Sequence, residues 1–346
     1  MTFIYFIFVL GVTIMIHEFG HFIFAKKAGI YVYEFSLGMG PRLFHWERKG
    51  DETVYSIRLL PIGGFVSMAG EDLEADEKIP KEKQMCNKPW YQRFLTLIAG
   101  VLFNFILAFI LLFVVALFHG TPATKPYIDS VDSAYPIIDT NISSGDLITA
   151  INSKKIRSID RLLLELQVHM GETLSFTVQH TNGEIETVTV APIMSEEDGV
   201  TRYYYGFTLN TTKKTGIGSA LSYAFVKTGS LVEQMCMIVG YLFTGKLSLD
   251  SLAGPIGIFN VVGETAKTGF LNILYLIAYL CINVGFINLI PLPAFDGGRL
   301  FFLLIEKIKG SRVSPKIENA IHSVGFLLLM VLMILITYND VIRLFQ

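Results

Sequence analysis

Long apolar runs dominate the chain. Four of them, at about 2–24, 94–118, 270–292 and 322–338, reach or approach the roughly 20 residues that a membrane-spanning helix needs. A fifth, 218–244, is as long but carries Lys227 and Glu233 and is broken by glycines. It reads better as an amphipathic helix at the membrane surface, with a span left open. Shorter periods fill the gaps. Residues 31–70 contain strand-like runs such as Val54 to Leu60, separated by Gly38, Gly40, Pro41, Gly50-Asp51 and Gly63-Gly64, and predict β-hairpins lying against the cytoplasmic membrane face. Residues 124–209 alternate like a small β-rich domain. Leu174 to Val178 and Glu186 to Val190 flank an Asn182-Gly183 turn, and one helix falls near 158–169. The stretch 71–89, rich in Glu, Lys and Asp, predicts a flexible loop.

Composition supports this pattern. Of 346 residues, 52% are hydrophobic, too many for a soluble domain of this length. The formal net charge of −2 comes with no clustered basic face, which excludes an electrostatic nucleic-acid footprint. Cys86, Cys236 and Cys281 are odd in number and far apart, so they build neither a disulfide framework nor a paired-cysteine zinc site, and read as inert core or loop thiols. The first run is expected to be a retained helix rather than a cleaved leader, because no basic segment precedes it and no small-residue cleavage site follows it.

Lys and Arg near the run ends set the orientation. The loop 25–93 is dense in both, from Lys26 and Lys27 to Lys88 and Arg93, and Arg299, Lys307, Lys309, Arg312 and Lys316 follow the third span. Both loops are therefore expected in the cytoplasm, with the two termini and 119–269 outside. The expected fold is an α-helical membrane protein of four transmembrane helices with membrane-associated β-hairpins and an inserted extracytoplasmic β-rich domain. Its expected divisions are 1–118 for the first two spans and the hairpins, 119–212 for the outer domain, 213–269 for an amphipathic linker region and 270–346 for the last two spans.

Candidate chemistry sits at two places. His17-Glu18-Phe19-Gly20-His21 puts two imidazoles at i and i+4, on one face of a helix, where both can reach one metal ion, with a carboxylate beside the first for general-base work. Inside an apolar span, such ionisable residues default to function; the plain alternative is a solvated helix end with no role. Asn288 to Gly298 closes the third span with Pro291, Pro293 and Asp296, the only carboxylate between Glu264 and Glu306. Two prolines free backbone groups, which fits the wall of a polar cavity. A helix terminus with an ordinary Asp-Gly turn fits that segment equally well. A catalytic zinc needs three protein ligands and an open position, which suits two imidazoles and a carboxylate. The chemistry is then metal-assisted peptide hydrolysis with Glu18 as base. A metal-transporting or metal-sensing membrane protein, an inactive scaffold and a membrane-anchored protease for soluble chains are the competing readings.

These residues resemble the site-2 protease family of intramembrane zinc metalloproteases, and in particular its bacterial branch, of which the regulator of sigma-E protease is typical. The resemblance runs in order through His17 to His21, Glu34 to Pro41, Leu60 to Val66, Asn104, Gly254 to Ile258 and Asn288 to Gly298. It implies Zn2+ held by His17, His21 and Asp296, catalysis by Glu18, and substrate handling by Asn288, Pro291 and Pro293, with Asn104 near the site and the Gly63-Gly64 hairpin guiding substrate. It also implies single-span membrane substrates, such as pre-cleaved anti-sigma factors or remnant signal peptides, in a bacterial plasma membrane. The segment Ser144 to Asn152 and the following helix resemble a PDZ domain, which in this family is thought to limit access by bulky ectodomains. Only one such unit is present where some members carry two. Val101 stands where many relatives have proline, Phe295 stands where leucine is usual, and no clear carboxylate-binding loop precedes the PDZ-like segment.

Overall fold

The structure, a computed structural model, describes residues 1–71, 76–197, 200–211, 213–248 and 251–343. It divides into two compact units: Met1–Leu111 with Leu249–Gln346, and Leu112–Ser248. In chain order, α1 spans Thr2–Lys27, β1 Val32–Glu47, β2 Val54–Met68 and α2 Trp90–His119; the segment between α2 and α5 holds β3 to β10 with α3 and α4; α5 (Pro255–Lys267), α6 (Phe270–Leu289), α7 (Asp296–Lys309) and α8 (Pro315–Arg343) complete the chain. Among the described residues four helices, α1, α2, α6 and α8, are long and apolar enough to cross a membrane, so this is a multi-pass membrane protein.

In the helical unit α1 is central, packing against β1, β2, α5 and α6. Its crossing with α2 is unusually close: a Cβ at Gly20 would stand 2.4 Å from the Ala99 carbonyl oxygen, so only glycine lets the two backbones meet there. Lys26 and Lys27 close the last turn of α1, where cations oppose the negative end of the helix dipole. The third span stops at Leu289 rather than 292 because Pro291 and Pro293 cannot continue a helix. α8 overruns the apolar stretch 322–338 at both ends. Near its end the buried Asp340 carboxylate accepts the N–H groups of Gly254 (3.2 Å) and Gly257 (2.8 Å), capping α5 from another helix.

The expected hairpins form a folded-over sheet. Residues Glu34 to Leu37 lie beside Ser67 to Gly64 and also beside Val54 to Ile57, while Phe44 to Glu47 turn back onto Ile57 to Val54. The bend comes at Gly38, whose φ of +92° and approach to the Leu60 carbonyl, 2.6 Å from an added Cβ, leave no room for a side chain. Buried Glu34 locks the fold: it accepts from Ser56 Oγ (2.5 Å), Arg42 Nη2 (2.5 Å) and the Arg58 guanidinium (2.8 and 2.9 Å to its two oxygens). Burial pushes the Glu34 carboxyl up, but these donors outweigh it and hold it below the usual carboxylate range.

The segment 71–89 departs from the expected flexible loop. Residues 81–83 and 85–87 form short 3-10 turns, and Gln84, Met85 and Cys86 are buried. The Gln84 amide donates to the Asp76 and Ile79 carbonyls at 2.7 and 2.6 Å, supplying the partners that a polar composition hides. Residues 72–75 of that stretch lie outside the described residues.

The second unit is built around a sheet ordered β5-β4-β6-β7, from Lys154–Lys155, Leu147–Ile151, Leu174–Gln179 and Ile185–Val190. β3 (Ile128–Val131) pairs with β10 (Phe207–Leu209), and β8 (Ile193–Glu197) with β9 (Val200–Tyr204). The β6–β7 hairpin turns through Gly183 at φ +90°. The expected helix near 158–169 is α3 (Ile159–Val168), with Ser158 as N-cap accepting from Arg161 N–H. α4 (Ile217–Phe243) lies on α3 through an ionic seam: Asp160 takes Lys227 (2.6 Å) and Ser230 (2.7 Å), and Arg161 reaches Glu233 (2.6 Å). Leu221, Phe225, Cys236 and Phe243 remain exposed along α4. Among the described residues α4 is not one of the four helices apolar enough to span.

Candidate metal centre

α1 and the start of α7 bring three donors to one point. His17 Nε2 lies 3.0 Å and His21 Nε2 3.1 Å from Asp296 Oδ2, and the two imidazole nitrogens are 3.2 Å apart. The i, i+4 spacing puts both rings on one face of α1, where they meet edge to face at 84°. Both histidines are buried, at 7% and 6% exposure, within the apolar helix α1.

The donor set fits zinc. Donors about 2.0–2.1 Å from a tetrahedral zinc stand roughly 3.3 Å from one another, close to the separations here. Two neutral imidazoles and one carboxylate leave the fourth position open. α2 also makes room for the pair: a Cβ at Gly100 would come 2.3 Å from His21 Nε2 and 2.8 Å from His17 Cε1. Glu18, one residue along α1, stands outside the donor group and turns towards the sheet, with its Cγ 3.6 Å from where a Cβ of Gly64 would be.

Asp296 is delivered by a strained turn. Past α6, Ala294 adopts φ +77°, a conformation that costs an L-residue about 1 kcal/mol or more. Gly297 and Gly298 let the α7 N-terminus tuck beneath the turn, since Cβ atoms there would stand 2.1 Å from the Ile290 carbonyl oxygen and 2.5 Å from that of Leu292. Arg299 binds Glu71 at 2.5 Å and ties α7 to the chain after β2.

The sequence profile of peptidase family M50 matches residues 5–332. The chain belongs to peptidase family M50. Among M50 relatives, it is similar to the zinc metalloprotease RasP of Bacillus licheniformis, at 32% identity over 99% of each chain. It is similar to the regulator of sigma-W protease RasP of Bacillus subtilis at 30% identity over 99% of each. It is also similar to a putative zinc metalloprotease of Clostridium perfringens at 36% over 95% of each. The protein is thus an intramembrane zinc metalloprotease of the M50, or site-2, family, and the transporter and scaffold readings fall away.

Within this M50 peptidase, the other expected site residues fall in different places. Gly64 lies against Glu18, and Gly63, at φ +102°, against the Met39 side chain. Pro293 packs on Gly325 of α8, where a Cβ would stand 2.1 Å from the Pro293 Cβ. Asn288 is half-buried on the last turn of α6, and Pro291 is exposed on the turn that follows. Asn104 lies beside the donor group: its side chain is fully buried, with its amide nitrogen 3.3 Å from His17 Nδ1. Three residues bearing on the site escaped the sequence reading: Thr96, whose carbonyl accepts from His21 Nδ1 at 2.8 Å; Gly100; and His322. The one local clue was the i, i+4 spacing of Gly100 and Asn104 on α2.

Proposed function

We propose that this protease cuts the transmembrane segments of single-span membrane proteins, with His17, His21 and Asp296 as zinc ligands and Glu18 as general base. The observation that carries the reading is the convergence of two imidazole nitrogens and one carboxylate oxygen beside Glu18, in a unit of apolar helices. When bound, zinc supplies Lewis acidity to the scissile carbonyl and makes a water molecule acidic enough to attack near neutral pH. Glu18 would serve as the base that accepts a proton from the attacking water and as the acid that returns it to the leaving nitrogen.

A spanning helix hides its carbonyls in its own hydrogen bonds, so the substrate must unwind before attack. The β2 segment around Gly63 and Gly64 is suited to hold the extended stretch by strand addition, because it passes directly beside Glu18. Asn288, Pro291 and Pro293, at and just past the end of α6, are read as a second substrate contact, because prolines leave backbone groups free for a guest chain.

The Lys and Arg pattern favours an active site towards the cytoplasm, with both termini and the β-rich unit outside. That unit is read as a single PDZ-like domain acting as a size filter, a reading supported by the Ser144-Gly145-Asp146 turn, the sheet and α3. The name of the Bacillus subtilis relative, a regulator of sigma-W protease, favours membrane-bound anti-sigma factors already trimmed on the outside, in a bacterial plasma membrane.

The test is cleavage of a single-span substrate by the purified protein in detergent, with bound zinc measured in each variant. Glu18→Gln is expected to keep zinc and lose cleavage, and Asp296→Asn to lose both. Cleavage by Glu18→Gln at the wild-type rate removes Glu18 from the base role.

A further inference from the structure

Both candidate imidazole ligands are gripped from behind by a single face of α2. Thr96, Gly100 and Asn104 recur at intervals of four, so they stack along one side of the helix. Thr96 offers its carbonyl to His21 Nδ1 at 2.8 Å. A carbonyl only accepts, so Nδ1 of His21 carries the proton and Nε2 presents its lone pair to the centre. Gly100 leaves the space that both rings occupy. Asn104 stands 3.3 Å from His17 Nδ1, fully buried, and its Oδ1 has no hydrogen-bond partner.

The orphaned oxygen and the ring determine each other. If the amide nitrogen faces His17, it donates to Nδ1, the ring proton moves to Nε2, and His17 has no lone pair for a metal. The two ends of an asparagine amide are nearly identical in shape, and the hydrogen-bond network decides which way they point. With the amide turned, Oδ1 accepts from Nδ1–H, and Nε2 of His17 faces the centre as a donor, matching His21. We infer that Asn104 is a positioning residue that holds His17 in its metal-binding tautomer through Oδ1, as the Thr96 carbonyl does for His21. The inference rests on the zinc reading of the centre. Partners of this kind behind metal-bound histidines typically change metal affinity by about 10–100-fold when removed.

The experiment measures zinc affinity by chelator competition on the full-length protein in detergent, with the thermal unfolding of each metal-free variant recorded alongside. Asn104→Leu keeps the volume and removes the acceptor; Asn104→Asp keeps the acceptor in the same place. The expected result is a loss of about 10–100-fold in zinc affinity for Asn104→Leu and a loss of only a few-fold for Asn104→Asp, with metal-free unfolding temperatures close to wild type. Wild-type affinity in Asn104→Leu overturns the inference, and so does an equal loss in both variants. If Asn104→Leu does not fold, Asn104→Ala against Asn104→Asp makes the same comparison. His17→Ala separates the two levels of the argument: if it too keeps wild-type affinity, the zinc reading has failed, whereas loss in His17→Ala with none in Asn104→Leu sinks the role of Asn104 alone.

Discussion

The backbone N–H of Ala294 donates to Nδ1 of His322 at 3.1 Å, across the contact between the turn after α6 and the first half of α8. Ala294 is one of only three non-glycine residues with positive φ among the described residues, and it lies two positions before Asp296. A strained residue persists when its surroundings over-determine it. Here the surroundings are His322, the tight seat of Pro293 on Gly325, and the Gly297-Gly298 pair. α8 thereby bears on the placement of a metal ligand without touching the metal position.

His322→Ala should therefore weaken the hold on Asp296. Its zinc content after dialysis against a weak chelator is expected to fall, together with the cleavage rate. Ala294→Gly relieves the positive φ, a cost of about 1 kcal/mol, and should soften the effect of His322→Ala in the double variant. Strictly additive losses in the two single variants and the double would show that the two positions are uncoupled.

Gly297→Ala sets a methyl group against the Ile290 carbonyl and must push α7 away from the turn. Loss of zinc and of cleavage is expected, with the four spans still folded. Gly11→Ala, with nothing within 4 Å of the added atom, is the matched control: unchanged or slightly more stable, by up to about 1 kcal/mol, in thermal unfolding.

Glu34→Ala strips the sheet of its buried carboxylate and leaves the partly exposed Arg58 guanidinium without it, a change that typically costs about 1–3 kcal/mol. Because the sheet lies on Glu18 and not on the metal donors, zinc affinity should hold while KM for a transmembrane substrate rises. Hydrogen exchange over residues 54–68 should rise as well. The sign with pH follows from the lowered carboxyl: Glu34 stabilises the sheet above its ordinary value of about 4.3, and that contribution disappears as pH falls through the lower folded value.

In the β-rich unit, His180 places Nδ1 on Asp146 (2.8 Å) and Nε2 on Glu186 (3.2 Å). The hydrogen bond to Asp146 raises the His180 pKa above its ordinary value of about 6.5. Its stabilising contribution is complete below that value and is lost as pH rises through the raised folded one. Exchange protection of the β6–β7 turn should drop between roughly pH 6.5 and the alkaline side, and His180→Gln should flatten the curve. A wild-type profile as flat as that of His180→Gln would remove the imidazolium from the account.

Much of the fold is written in local pattern. Spanning helices appear as runs of apolar residues because lipid selects composition over a fixed length, and α1, α2, α6 and α8 are these runs with their ends adjusted. The ends shifted for reasons hydropathy does not register: prolines cut α6 short, while α8 continues into polar residues because the helix ladder does not need an apolar side chain at every position. His17, Glu18 and His21 were legible because an i, i+4 pair shares a helix face whatever surrounds it.

Other features depended on partners far along the chain. The chain by itself determined which helices span, which two imidazoles face one way and where a carboxylate could join them. Only the tertiary structure decided that α2 grips those imidazoles through Thr96, Gly100 and Asn104, that His322 braces the Ala294 turn, and that Glu34 folds the sheet over onto Glu18. The physical reason is the same in each case. A buried polar group must find a partner, or a close approach must find a glycine, and which distant residue answers is fixed by packing in three dimensions rather than by any period along the sequence.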